Sequence, residues 1–430
     1  MTTSAIAVPP RRGVCPGLSA PMPTGDGLLV RLTPIGTVSL SAFAQLCAAA
    51  RRLGNGVIEI TSRGNIQIRG FNPASASEFA TTVAALDIAA QDGVPILCNP
   101  LAGLDAEEIF DCSALAAELH RALAQRSMSA RLDAKVSIAI DGGGAVTLDT
   151  LAADVRLRAE LINGDAALRV GIGGDAANAI DLGVVTAANG VAAVMRLLEV
   201  LAKRGRDARA RDVLASEGAA VFRQTIADLI IGNAPPCPVA RRSEAVGGHR
   251  LRDGSMACGV GLAFGHADAT SLARLAEIAN AAGASGMRAA PGRVLMTIGL
   301  TSETSRAFTA AAEQLGFITR ADDPRRHVVA CAGAPICVSA HIASRALAPL
   351  IAEHTAQQID GSFTIHVSGC AKGCAHPTSA ALTVVGSPDG CTLIANGTPR
   401  DASFALVPTP ELPAAIAKYL REQKREGGHV

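Results

Sequence analysis

Tryptophan is absent from this chain of 430 residues, tyrosine occurs once (Tyr419), and phenylalanine only ten times. Aromatics make up 3% of the residues, too few for the stacking platforms that hold single-stranded nucleic acid. Lysine is almost as scarce, five against 34 arginines among the 39 basic residues. Opposed by 38 acidic residues, these leave a net charge of +1, which excludes a general binder of polyanions, and no nucleic-acid partner is expected. The arginine bias fits GC-rich codon usage, and it also suits carboxylate recognition by planar guanidinium forks. Long apolar runs are missing too. Mean hydropathy is +0.30, but it comes from dispersed Ala and Val. The best apolar segment, Gly190 to Leu201, contains Arg196 and Glu199, whereas a bilayer span takes about 20 apolar residues. No membrane association is expected. Residues 1–14 hold prolines and two arginines but no apolar signal core, which predicts a cytoplasmic protein. In that reducing setting the eleven cysteines serve metal, catalysis or packing rather than disulfides.

What is present is a globular composition, 49% apolar with 43 glycines in no fixed period, which rules out disorder and collagen. At roughly 100–200 residues per domain, two to four domains are expected. Residues 25–70 read as strand, helix, strand. Gly27 to Thr33 is an apolar strand, Ser39 is a candidate N-cap, and Leu40, Phe43, Leu46 and Ala50 recur at helical spacing. Gly54-Asn-Gly56 stops the helix, and two short strands follow around a turn at Arg63-Gly64-Asn65. The same grammar returns about 232 residues later. Gly259 to Phe264 forms the strand, Leu272, Leu275 and Ile278 fill the helical slots, and Val294 to Ile298 close the unit. A long-period repeat of this kind predicts a duplicated, pseudo-symmetric pair of α+β units.

Between the copies, 106–126 and 191–203 read as helices and 135–151 as a hairpin turning at Asp141-Gly-Gly-Gly144. Arg204 to Arg211 reads as a solvated helix face or loop, and Asn233 through Gly247-Gly248 as a linker. Gly171 to Ala176 partly mimics a dinucleotide fingerprint but reads as a turn, so no nicotinamide site is assigned.

The chemistry sits in the cysteines. Cys331 and Cys337 form a C-x5-C pair, and after 32 residues Cys370 and Cys374 form a C-x3-C pair. Four paired thiolates suit a tetrahedral zinc or a cubane iron–sulfur cluster. Structural zinc pairs are usually C-x2–4-C, so the wide first pair favours the [4Fe–4S] cluster. Small neighbours, Gly333, Ala334, Gly369, Ala371, Gly373 and Ala375, leave room for it and expose amides to its sulfurs. The other seven cysteines are scattered singly, as small core residues are.

These cysteine pairs, the duplicated unit and the segment Thr61-Ser-Arg-Gly-Asn-Ile-Gln-Ile-Arg-Gly70 resemble the nitrite/sulfite reductase haemoprotein superfamily. Within it, four stretches resemble the precorrin-3B synthase family: Cys98 to Asp105, Gly254 to His266, Ala330 to Cys337 and Val367 to Pro377. The resemblance implies an α+β fold. Duplicated ferredoxin-like half-domains, 1–75 and 248–300, would pack with two α/β cofactor-binding domains, 76–232 and 301–430. It also implies that Arg31, Arg63, Gln67, Arg69 and Lys135 face a tetrapyrrole, here a substrate held by its carboxylates. Two departures separate the chain from the reductases. Their Arg-Asn pair is replaced by Val94 and Pro95, and the second lysine of their Lys-x-Lys pair by Ser137. A buried small anion needs such cations, so no sirohaem is expected. The implied reaction is oxygen-dependent hydroxylation and lactonisation of precorrin-3A to precorrin-3B in aerobic cobalamin biosynthesis, with the cluster as electron relay. It further implies a mononuclear non-haem iron, for which His341, His366 and His376 lie nearest in sequence but no ligand set is evident. Electrons would come from an external donor, an NADH-linked reductase or a ferredoxin. A sirohaem-dependent sulfite or nitrite reductase is the alternative.

Overall fold

The computed structural model describes residues 16–232, 244–361, 363–376 and 378–425. Cys15, Cys237 and the expected linker over 233–243 lie outside them. The chain forms two compact units, a smaller one from 16–22, 91–103 and 107–232, and a larger one from 23–90, 104–106 and 244–425.

The larger unit opens with β1 (Met22–Thr24) and β2 (Gly27–Leu32), then α1 (Leu40–Leu53), β3 (Val57–Ile60), β4 (Ile66–Phe71) and α2 (Pro73–Ala85). Ser39 caps α1 by accepting from the Ala42 amide (3.2 Å), and Leu40, Phe43, Leu46, Cys47 and Ala50 form its buried stripe. Ile58, Ile60, Ile66 and Ile68 are buried; Glu59 and Gln67 alternate with them and point to the other face.

The smaller unit comprises β5 (Ile96–Cys98), α3 (Cys112–Gln125), α4 (Met128–Arg131), β6 (Ile138–Asp141), β7 (Ala153–Ile162), β8 (Asp165–Gly174), β9 (Ile180–Thr186), α5 (Gly190–Ala202), α6 (Ala210–Glu217), α7 (Ala220–Ile226) and β10 (Ile230–Gly232). Its sheet runs β10-β9-β8-β7-β6-β5. The hairpin expected over 135–151 is not there. β6 runs parallel to β7, Ile138 opposite Val155. Asp141 accepts from the amides of Gly143 (2.9 Å) and Leu148 (2.6 Å), and Asn99 donates to Asp141 (3.0 Å) and to the Val146 carbonyl (2.7 Å). These side chains take up the groups a hairpin would pair, and 142–152 becomes a crossover loop. The hairpin is instead β7–β8, turning at Asn163-Gly164, both with positive φ. Gly171 to Gly174 lie inside β8 rather than in a turn. The first helix starts at Cys112, not Ala106, because the Ile109 and Phe110 amides both donate to the Gly142 carbonyl. In the arginine run, Arg204 pairs with Glu217 and Arg209 with Asp154.

The second copy follows as β11 (Gly247–Arg250), β12 (Met256–Gly261), β13 (His266–Asp268), α8 (Ala269–Ala281), β14 (Gly286–Ala290), β15 (Val294–Leu300) and α9 (Ser302–Gln314). Gly247-Gly248 thus begin a strand. The expected strand through Phe264 ends at Gly261; Phe264 turns into the left-handed region (φ 57°) and packs on the core of the C-terminal sheet. The repeat period is 229 residues. Caps Ser39 and Asp268, and capping-box residues Asn72 and Thr301, match at that spacing. So do Gly70 and Gly299, both at positive φ, where a Cβ would come within 2.6 Å of Asn55 and 2.8 Å of Ser285. The expected offset of about 232 slipped by one helical turn, which preserves the apolar match. Phe43 and Leu46 correspond to Leu272 and Leu275, and Ile278 is only half-buried. The copies exchange edges. Val38 and Met287 trade amide–carbonyl bonds (2.9 and 2.8 Å), and β13 pairs with β3, Ala267 opposite Ile58. Helix α1 packs on α8.

The larger unit ends with β16 (Val328–Ala330), α10 (Ser344–Thr355), β17 (Ile365–Ser368), β18 (Ala380–Ser387), β19 (Gly390–Gly397), β20 (Ala405–Val407) and α11 (Leu412–Arg425), in sheet order β16-β17-β18-β19-β20. The first three strands are parallel; α10 packs on α11, and both helices bury apolar residues in this sheet's core. Among the described residues, no helix is long and apolar enough to cross a membrane.

Asp154, 3% exposed, accepts from Arg209 Nε (3.0 Å) and Nη2 (2.8 Å) and from the amides of Ser137 and Ala210 (3.0 Å each). Asp154→Ala strands all of these donors and should cost about 3–5 kcal/mol, read as a lowered urea midpoint with Asp154→Asn in between.

Candidate functional site

Cys331 follows β16 and Cys370 lies two residues beyond the end of β17. These strands are adjacent and parallel, Ala330 opposite Val367, so both cysteines follow the same carboxyl edge of the sheet. Ligand sites in α/β sheets form at such edges. The Cys331 amide donates to the Val367 carbonyl (3.2 Å), and the Gly369 amide to Cys331 Sγ (3.1 Å). A Cβ at position 369 would lie 2.6 Å from Ala340 Cβ, so glycine is required for the two loops to close. The Cys337 amide donates to Gly333 O (2.7 Å), the His341 amide to Gly369 O (2.8 Å), and Lys372 Nζ to Ser339 Oγ (2.6 Å). Cys374 is the most open of the four. Desolvation, and then the Cys331, Cys370 and Cys337 thiols, push its own thiol up.

Cys47, Cys112, Cys258 and Cys391 are buried, and burial pushes the Cys47 thiol up to about 12. Cys98 lies beside Cys112, and its contact, then burial, pushes the Cys112 thiol up. Fully buried His366 sits mid-strand with neither ring nitrogen on a protein partner, its ring centre 5.7 Å from that of His376. Burial, then His376 and Arg293, push it down to about 4, so it is neutral at pH 7. His341 is exposed. Among the described residues, no three His, Cys, Asp or Glu side chains converge as a single ion requires.

A polar row crosses the other face of the first sheet. Arg31 on β2, Gln67 on β4, Glu59 on β3 and His266 on β13 stand in register, each opposite the next. With its amide turned to satisfy both neighbours, Gln67 donates to Glu59 Oε2 (3.2 Å) and accepts from Arg31 Nε (3.0 Å) and Nη2 (2.6 Å). Arg69 donates from Nε to Glu59 Oε1 (2.7 Å) and lies 4.0 Å from Asp26. Arg345, from the first turn of α10, donates to the same Glu59 oxygen. Burial alone would push Glu59 up, but Arg69 and Arg345 outweigh it and hold the carboxyl below its usual range. The structure therefore brings Arg31, Gln67 and Arg69 together. Arg63 is half-buried in the β3–β4 turn, where Thr61 Oγ1 accepts from its amide (3.3 Å). Lys135 belongs to the smaller unit, exposed ahead of β6.

Glu59, His266, Arg345 and Arg293 escaped sequence reasoning. Glu59 had a signal, an acid alternating with Ile58 and Ile60. Arg345 had none, because its partner lies 286 residues away. Arg293 sits at positive φ (66°) and donates to the Ala375 carbonyl (3.3 Å), just past Cys374.

Residues 20–86 match the family described as the nitrite/sulfite reductase ferredoxin-like half domain. Over 422 residues, 97% of this chain and 90% of the relative, the chain is 38% identical to a precorrin-3B synthase of Sinorhizobium sp.. It is 25% identical to a ferredoxin–nitrite reductase of Synechococcus elongatus over 82% of this chain and 75% of that protein. The NirA protein of Mycobacterium tuberculosis has the same fold, with a TM-score of 0.78 at 22% identity over 92% of this chain and 80% of that one. The α+β architecture with duplicated half-domains is thus that of the reductase superfamily.

A carboxyl held below its ordinary value of 4.5 contributes stability that is complete above pH 4.5 and drains away as pH falls through the depressed value. Glu59→Gln should therefore lower stability at pH 7 and flatten its decline in acid, measured by urea denaturation across pH 3–7.

Proposed function

The chain belongs to the precorrin-3B synthase family, and from that premise we propose that it hydroxylates precorrin-3A with dioxygen and closes the lactone of precorrin-3B. Its place is in cobalamin biosynthesis, and its chemistry is that of an oxidoreductase acting on a precorrin. In the proposed reaction one oxygen atom enters a meso carbon of the macrocycle and an acetate side chain closes the lactone. The second oxygen leaves as water, taking up two electrons and two protons. The observation that carries the reading is the polar row. Three guanidiniums, Arg31, Arg69 and Arg345, gather on one buried carboxylate and one amide, and Arg31 meets the amide alone. That surplus of charge-assisted donors suits a substrate bearing several acetates and propionates. Arg63 is proposed to add a further contact.

The four thiols fit a [4Fe–4S] cluster. Cys331, Cys337, Cys370 and Cys374 stand on two stitched loops at one sheet edge, and the Gly369 amide already points at a ligand sulfur. When bound, such a cluster supplies one-electron transfer. The protein's part is to hold it with these cysteines and to orient the macrocycle by its carboxylates. For a mononuclear iron the described residues offer no converging ligand set, and no step is derived through one. The electrons are proposed to come from an external donor, an NADH-linked reductase or a ferredoxin. Gly171 to Gly174 run as strand into strand, without the strand-to-helix turn that cradles a dinucleotide. The absence of sirohaem is part of the proposal. Val94 is a buried apolar side chain, and Ser137 is buried with its amide on Asp154; neither position carries a cation for a small anion.

Replacing Cys331, Cys337, Cys370 or Cys374 singly by Ala should abolish most of the broad visible absorption of the anaerobically reconstituted protein, whereas Cys47→Ala and Cys258→Ala should keep it. A cluster that survives Cys370→Ala would remove the assignment.

With labelled dioxygen, precorrin-3B should carry the label in its new hydroxyl, and acidified acetone should extract no iron tetrahydroporphyrin. Label from water alone, or sulfite turnover by a sirohaem-loaded protein, would put the reductase alternative first.

A further inference from the structure

Arg345 stands where a helix tolerates a cation poorly. It is the second residue of α10, at the positive end of the helix dipole, and Ala343 provides no side-chain cap. Its guanidinium is nonetheless nearly buried, 17% exposed, on a Glu59 carboxylate that is 14% exposed. Immediately before it, Ser344 Oγ accepts from the Cys331 thiol (3.5 Å). Gly333, in the same loop, is so close that a Cβ there would lie 2.4 Å from the Ser344 amide nitrogen. The Ala334 amide donates to Ile342 O (2.8 Å), which closes the segment from Cys331 to Ser344 on itself. Glu59, Arg345, Ser344 and Cys331 thus make a continuous path from the polar row to the thiols. Helix stability does not explain a cation at this position; a link between row and loop does.

We propose that Arg345 is a positioning residue that ties the polar row to the Cys331–Cys337 loop, so that charge on the row is felt by the group the four thiols hold. This rests on the reading that the thiols hold an iron–sulfur cluster. An incoming carboxylate competes with Glu59 for Arg69 and Arg345. Arg345 is anchored in the first turn of α10, so a change in its pairing reaches Ser344 and Cys331 directly. Nothing comparable connects the exposed Arg274–Glu277 pair on α8, which serves as the control.

The test is potentiometry followed by EPR on the full-length, anaerobically reconstituted protein with no tetrapyrrole added. Arg345→Gln removes a cation near the cluster and should lower its midpoint potential. Glu59→Gln removes an anion from the same path and should raise it. Arg345→Lys should return the potential toward the wild-type value, and Arg274→Gln should leave it unchanged, with equal iron content throughout. Shifts of opposite sign separate the tie from simple loosening, which would move both variants alike. The proposal is overturned if neither variant shifts, if both shift in one direction, or if Arg345→Lys shifts the potential as far as Arg345→Gln does. A wild-type protein that takes up no iron overturns the cluster reading and this inference with it. Binding of uroporphyrin I, followed by fluorescence quenching, reports separately on whether the row holds a polycarboxylate.

Discussion

Two reciprocal backbone pairings hold the larger unit in its arrangement. Val38 exchanges hydrogen bonds with Met287, and Ala267 stands opposite Ile58. A shift of 229 residues converts Val38 into Ala267 and Ile58 into Met287, so each copy completes an edge of the other in the same way. Neither copy is self-sufficient. The sheet of the first lacks its last strand without β13, and α1 has the matching face of α8 to cover it. Buried backbone groups must be paired, and here the pairing partner is supplied by a distant duplicate.

This exchange also creates the polar row. β13 arrives with His266 directly beside Glu59, extending Arg31, Gln67 and Glu59 by one strand. One face of the sheet is committed to isoleucines under α1, and the other is free to carry charge. Three arginines against Glu59, with Asp26 4.0 Å from one of them, leave that face positive at neutral pH. Desolvating so many ions is costly, and a buried ion pair is weak evidence of stability. The arrangement is better understood as one that awaits an anionic ligand than as a brace for the fold.

Much of this was legible in the sequence wherever the information was local. The cap at Ser39, the stripe from Leu40 to Ala50 and the turn at Gly64 were readable because each depends on residues within a few positions. The cysteine spacing foretold two loops, and the sheet edge that gathers them is consistent with it. The repeat was visible but misregistered, since sliding a helix by three residues keeps its apolar face. What failed was non-local. The loop after Asp141 looks like a hairpin turn until Asn99 claims its hydrogen bonds. Glu59 and Arg345, the latter one arginine among 34, gain their roles only once the fold sets them together.

The exchange of edges has a price in time. Ribosomes add about 5–20 residues per second, so Ile58 emerges roughly 10–50 seconds before its counterpart 229 residues on. Throughout that interval the first sheet has an unfilled edge and α1 an uncovered apolar face. The elements of the smaller unit, from β5 to β10, are all synthesised within the wait. Pairings so distant in sequence also fold slowly once both partners are present. The nascent first copy is therefore the stretch of this chain most exposed to aggregation and to capture by chaperones, long before any chemistry begins.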